Sequence, residues 1–281
     1  MTINADRVPQ AGYIAQIGAI AWHAVARLVR APSHSRRAEA RRAMARRWLG
    51  LSVLAAIVIG VLMFAVDVAV ITRMPARGTP SLWPLRHFTD LAKSEYVLWT
   101  LAIGLVLVLL ILPRLTGVSR ANLTALGLRV QYVFLAVLVA VLTSEILKYI
   151  IGRSRPFVGG EPNAFNFSHF AGNAAFESLP SGHATTAFAL AFAVSALWRK
   201  AVPAMFTYAV LICITRVVLL AHHPSDVVGG ALAGVIGAMA VRYWFAARRL
   251  GFSIRSDGAI EPLAGPSWAG LKRVAREAFA P

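Results

Sequence analysis

Six stretches of this chain are apolar for long enough to leave few choices about how it can fold. They cover residues 48–71, 96–112, 130–151, 184–198, 204–221 and 227–247. Crossing the hydrocarbon of a bilayer takes about 20 apolar residues in a helix. Within lipid the backbone must satisfy its own polar groups, so helices are the natural spanning form for such runs. The second and fourth stretches are short and the others reach the required length. The expectation is an all-α polytopic membrane protein built as one six-transmembrane-helix bundle. No internal repeat and no Gly/Ser linker divides it. The predicted plan is a basic segment over 1–47, the bundle over 48–247 and a loose, polar cytoplasmic tail over 248–281.

Charge then orients the bundle. The net charge of +17 would suit a nucleic-acid binder if it lay on one folded surface. Instead the Lys and Arg residues flank the apolar runs, which excludes that partner and predicts the lipid bilayer. With the N-terminal side in the cytoplasm, residues 1–47, 113–129, 199–203 and 242–281 hold 9, 3, 2 and 7 of them. That is 21 on the inner side against 8 outside, as the positive-inside rule requires. The outer stretch 72–95 dissents, with Arg73, Arg77, Arg86 and Lys93. The cluster Arg36, Arg37, Arg41, Arg42, Arg46 and Arg47 reads as an orientation signal that also attracts anionic lipid. Residues 11–29 lack a basic leader and contain His23 and Arg27, so they read as an interfacial amphipathic helix rather than a cleavable signal. The single cysteine, Cys213, excludes an intramolecular disulfide and reads as a packing residue.

Ionisable groups at membrane depth are costly and usually functional. Here they form three clusters: Lys148 to Pro156, where the third run ends; Pro180-Ser181-Gly182-His183, where the fourth begins; and Thr215 to Asp226, joining the fifth and sixth. The topology puts all three on one face. Lys148, Arg155 and Arg216 would repel one another unless an anion lay between them, and guanidinium groups suit a phosphate. Ser181 and Gly182 open a helix, whose free N–H groups and dipole favour an anion. His183 and His222 are imidazoles suited to proton transfer or nucleophilic attack. Asp226 follows His222 by four positions with Pro224 between, so the sixth helix should start near Pro224 and the contact should cross a turn.

The spacings Lys148-x6-Arg155-Pro156, Pro180-Ser181-Gly182-His183 and Arg216-x5-His222-x3-Asp226 resemble the three motifs of the type 2 phosphatidic acid phosphatase (PAP2) superfamily over about residues 96–247. One departure is Thr215, where the family's third motif usually opens with Ser. The resemblance implies a lipid phosphatase acting on a phosphate monoester or diphosphate, working without a metal or other cofactor at the periplasmic face of a bacterial inner membrane. It implies His222 as nucleophile forming a phosphohistidine, Asp226 orienting its ring, and His183 handling the proton. Lys148, Arg155, Ser181, Gly182 and Arg216 would hold the phosphate. Undecaprenyl diphosphate, phosphatidylglycerol phosphate, phosphatidic acid and a lipid A phosphate all suit such a site. The alternative is a non-catalytic lipid-binding or transport protein on the same fold, which predicts loss of His222 or His183, and both are present.

The remaining polar positions divide. Lys148 has Glu145 three residues away as a helical partner. Arg153 is open to two readings, phosphate contact or loop solvation. Asp67 either faces the bundle or marks a helix end. His223 is expected in an ordinary interfacial role and His169 at the surface. Phe165, Phe167, Phe170 and Phe176 are expected to form an aromatic cover over the long loop 157–179. The short fourth helix predicts that its N-terminus is sunk below the membrane surface.

Overall fold

The computed structural model describes residues 12–279, so the first eleven positions of the basic segment and the last two of the tail lie outside it. Helix α1 (Tyr13–Val29) precedes α2 (Arg37–Ala65), which breaks at Val66 before a one-turn α3 (Asp67–Ile71). After a loop come α4 (Trp83–Asp90), α5 (Ser94–Ile111) and α6 (Gly117–Ile151). The core is completed by α7 (Gly182–Leu197), α8 (Val202–Val218) and α9 (Pro224–Ala247). Among the described residues, five helical segments are long and apolar enough to cross a bilayer. The sixth expected span, α7, has 16 residues and falls short of that length. The chain is therefore an all-α multi-pass membrane protein, with five full-length spans and a shorter helix at its centre.

Helix α9 is the hub, packing on α7, α6 and α2. Small residues make this possible. A Cβ at Gly237 would lie 2.8 Å from the Ala140 Cα of α6, and one at Gly230 would lie 2.8 Å from the Ala184 Cβ of α7. On α7 itself Ala184, Ala187, Ala189, Ala191 and Ala193 are all fully buried. Apolar surface in lipid gives no hydrophobic drive toward a neighbouring helix, so close backbone packing between small residues supplies the attraction. Its consequence is positional: the start of α7 is pressed against the start of α9, where the Ser181 N–H donates to the Asp226 carbonyl at 3.0 Å. Helices α2 and α5 instead leave Leu54, Ile57, Val61, Trp99, Ile103 and Leu107 more than half exposed, an apolar belt facing outward.

Two expectations about the ends need correction. The first long helix starts at Arg37, not residue 48, so Arg37, Arg41, Arg42, Arg46 and Arg47 of the arginine cluster lie within it. Arg, Ala and Leu favour helix, and nothing in this stretch stops it. Helix α1 forms as expected, with no buried residue. The tail after Gly251 is folded rather than loose. Strands β1 (Phe252–Ile254) and β2 (Ile260–Pro262) pair as an antiparallel hairpin, and α10 (Trp268–Ala278) packs on α6. Phe252 and Ile254 are buried, and Phe252 meets the Tyr132 ring edge-on at 4.8 Å. In α10, Val274 and Ala278 join Val108, Leu112, Leu115 and Leu123 in a second core. All of this gathers at one end of the bundle. The three polar clusters lie at the other.

Candidate phosphate site

The site is built where α6 ends. Gly152 closes α6 in the left-handed region (φ 58°), and its N–H returns to the Lys148 carbonyl at 2.8 Å. The chain then turns inward at Arg153 and passes Arg155 before the long loop. Lys148 pairs with Glu145 at 2.6 Å, so the helical partnership does form. Its ammonium also lies over the start of α7: a Cβ at Gly182 would sit 3.1 Å from Lys148 Nζ. Glycine at 182 is what admits that cation.

The motif residues converge as expected. His222 feels the charges of Arg216, Asp226, Arg155 and His183. Burial, and then the Arg216 guanidinium, push its imidazole well below the ordinary histidine range, while Asp226 acts the other way. Arg155 is likewise lowered by burial and by Arg77. Arg155 Nε, Arg216 Nε, Ser181 Oγ and His183 Nε2 are buried and have no hydrogen-bond partner among the described residues. Buried donors of this kind carry a large desolvation penalty unless a ligand or water satisfies them. Four such atoms and the Lys148 ammonium make this end of the bundle a candidate anion site. Arg216 also reaches Thr89 of α4 at 3.5 Å. Thr215, the departure from the usual Ser, donates its hydroxyl to the Ile212 carbonyl within its own helix.

The expected contact between Asp226 and the His222 ring is replaced by another. His222 Nδ1 is 3.9 Å from Asp226 Oδ2, too far for a hydrogen bond. It lies 2.9 Å from the backbone carbonyl of Ser178. A carbonyl only accepts, so Nδ1 carries the proton and Nε2 is left with its lone pair. Ser178 is held in turn: its N–H donates to the Arg153 carbonyl at 3.0 Å, and its hydroxyl to Asp226 Oδ2 at 2.6 Å. Asp226 is thus the anchor beneath the ring's support. It also closes the start of α9, accepting from the His223 N–H at 2.7 Å.

His223, expected at the interface, is wholly buried with Nδ1 3.1 Å from Asp226 Oδ2, because the capping turn points it inward. Arg153 fits neither of its two readings. It is fully buried, and its five N–H donors reach Ala164 O twice, Ser225 Oγ, Asp226 Oδ1 and Asp67 Oδ2. Asp67 faces the bundle, wholly buried. Sequence reasoning singled out Asp67 and Arg153 without joining them, and missed Ser178 and Ser225. In the loop, Phe165 and Phe170 are exposed and pack on Phe64 and Tyr149 at 4.8 and 5.4 Å. His169 is at the surface as expected.

Two cavities lie elsewhere. One of about 900 Å³ separates α1 from α5 and α6 at the far end. The other, about 460 Å³, is a wholly apolar groove between α8 and α9, lined by Met74, Val217, Val218, Pro224 and Val228 among others. Pro224 puts its upper end two residues from His222.

Bundle and polar end together describe a multi-pass helical membrane protein with a buried histidine–arginine centre. Residues 129–250 match the model of the PAP2 superfamily, so this part of the chain is similar to that family. The chain is 37% identical over 127 residues to a protein named Lipid A 1-phosphatase from Rhizobium johnstonii, covering 45% of this chain and 52% of that protein. The same identity holds over 127 residues with the Lipid A 1-phosphatase of Rhizobium etli, covering 45% and 55%. YbjG of Escherichia coli strain K12, which bears an undecaprenyl-diphosphatase name, is 35% identical over 124 residues, covering 43% and 59%. The chain thus spans little more than half the length of these relatives. No solved structure matches it.

Proposed function

We propose that this chain is a membrane-integral lipid phosphatase that hydrolyses a phosphate monoester or diphosphate through a phosphohistidine intermediate. The observation that carries the reading is His222: its Nδ1 is tied to the Ser178 carbonyl, leaving Nε2 free beside Arg155, Arg216 and His183. Nε2 attacks phosphorus as the bond to the leaving oxygen breaks, and His183 gives that oxygen its proton. A water, deprotonated by His183, then splits the P–N bond and releases inorganic phosphate. General acid–base help of this kind contributes about 10²- to 10⁴-fold. Lys148, Arg155, Arg216, Ser181 and the Gly182 N–H stabilise the charge spread over the phosphoryl oxygens, the work a metal does in other phosphatases. Asp226 fixes Ser178 and supports the imidazolium side of the cycle from 3.9 Å.

The lipid part of the reading is supported by the apolar groove between α8 and α9, whose volume of about 460 Å³ is within the range of ligand pockets. It is supported also by the relatives' names, which put lipid A phosphate and undecaprenyl diphosphate first among candidate substrates. Among the described residues, 20 of the 28 Lys and Arg lie toward the end opposite the site, which supports a periplasmic face in an inner membrane. The test is phosphate release by detergent-purified protein from those two lipids, phosphatidylglycerol phosphate and phosphatidic acid, with EDTA present. Release should persist in EDTA and disappear in His222→Ala. Turnover retained by that variant would sink the phosphohistidine route, and activity lost to EDTA would sink the metal-free one.

A further inference from the structure

We propose that Asp67, on the short helix that follows the first span, is a positioning residue for the His222 nucleophile. The inference rests on the reading of His222 just given.

The chain of contacts is short and wholly buried. Asp67 Oδ2 accepts from Arg153 at 2.7 Å and from the Ser225 hydroxyl, and Oδ1 accepts from the Ser225 N–H at 3.0 Å. Asp67 therefore caps α9 from another helix, taking a first-turn N–H that the helix cannot satisfy itself. Arg153 shares its charge between Asp67 and Asp226, at 2.7 and 2.6 Å. The Arg153 carbonyl holds the Ser178 N–H, and Asp226 holds the Ser178 hydroxyl. Ser178 finally holds His222 Nδ1.

Two routes thus run from Asp67 to the ring, one through Arg153 and one through the start of α9. Removing one member of a buried ion cluster leaves the others uncompensated, and the group relaxes until they find new partners. Ser178 is bonded to both Arg153 and Asp226, so a shift of either is passed through its carbonyl to the nucleophile. Misplacing a reacting group by about 1 Å can cost about 100-fold in rate. Among the described residues neither the Arg155 nor the Arg216 side chain hydrogen-bonds to Asp67, Arg153, Ser178 or Ser225, and Arg216 reaches Thr89 instead, so phosphate binding should change far less than turnover.

The experiment uses the full chain in detergent with a short-chain phosphatidic acid as probe, comparing wild type, Asp67→Asn, Asp67→Glu, Ser225→Ala and His222→Ala. The readouts are kcat, KM and inhibition by orthovanadate, a phosphoryl transition-state analogue whose tight binding depends on where His222 Nε2 sits. Asp67→Asn should lower kcat about 10- to 100-fold, leave KM within about threefold and weaken vanadate inhibition in parallel with kcat. Asp67→Glu should recover part of the loss, because it restores the charge. A lower folded fraction would reduce the apparent rate but leave vanadate inhibition unchanged, and that pattern would overturn the proposal. So would a wild-type kcat in Asp67→Asn. If Asp67→Asn does not fold, Ser225→Ala decides: it removes one link of the cluster, and normal kcat with normal vanadate inhibition in it overturns the role. Turnover by His222→Ala, or none by wild type on any lipid, would overturn the reading of the site itself.

Discussion

Arg216 acts on His222 in two ways that can be separated by pH. As a phosphate ligand it should matter at every pH. As a charge it also helps to keep the imidazole neutral: burial and then Arg216 lower its pKa, Arg155 and His183 add to this, and Asp226 opposes it. A lowered pKa keeps the neutral nucleophile available on the acid side of the usual imidazole range. The acid limb of kcat/KM set by His222 should therefore lie below that range. Arg216→Gln removes a lowering charge, so the limb should move to higher pH while the plateau falls. A pH–rate profile with a stationary limb would count against this assignment. The three motifs were legible because each uses side chains with distinct chemistry at fixed spacing. Ser178 was not, because it holds His222 through a backbone carbonyl that any residue possesses. Nor was the pairing of Asp67 with Arg153, since 86 positions separate them and no local pattern links the two. His223 sits beside the nucleophile, and only the capping turn reveals which ring points into the site and which turns away.

Helix α9 sets the site by how closely it lets α6 and α7 approach. At Gly237 even one methyl group would meet the Ala140 backbone. Gly237→Ala should therefore destabilise by about 1–3 kcal/mol, the usual cost of overpacking a close contact. Gly50, in the outward-facing α2, has open space around it. There the same change should be neutral or stabilising, since glycine is the poorer helix former. Reversible unfolding in mixed detergent micelles would compare the two, and equal effects would refute the packing argument. The long helices could be read from their apolar runs, but their limits could not. Composition shows where a helix is apolar, whereas α2 also includes five arginines before its apolar run, because nothing between them breaks a helix. The hairpin was invisible for a related reason: its strands have three residues each, too few for an alternating pattern to register.

Across the whole molecule, function and closure occupy opposite ends. The outer stretch that broke the charge rule supplies part of the explanation: Arg77 donates to the carbonyls of Leu220 at 2.7 Å and Pro156 at 3.3 Å, tying two site loops together. Lys93 pairs with Asp90 at 2.9 Å. These two cations are structural members of the site end, not flanking charge. At the other end the folded tail covers Tyr132 and Phe245 with Phe252, and α10 covers α6. Ending the chain after Leu250 should lower the melting temperature and raise aggregation, because those rings become exposed. Turnover per folded molecule should stay unchanged, since no site residue touches the tail. A truncation that lost turnover in its folded fraction would contradict that separation.

The shortness of α7 has an energetic consequence for the substrate. Sixteen residues make a helix of about 24 Å, against about 30 Å of hydrocarbon. Drawing a lipid upward by the difference would expose several methylene groups on every chain, at about 0.8 kcal/mol each. Under the proposed function, a phosphate site carried on a short helix would avoid most of that extraction work. The saving multiplies with the number of chains, so it is greatest for lipids too heavily acylated to be lifted at all.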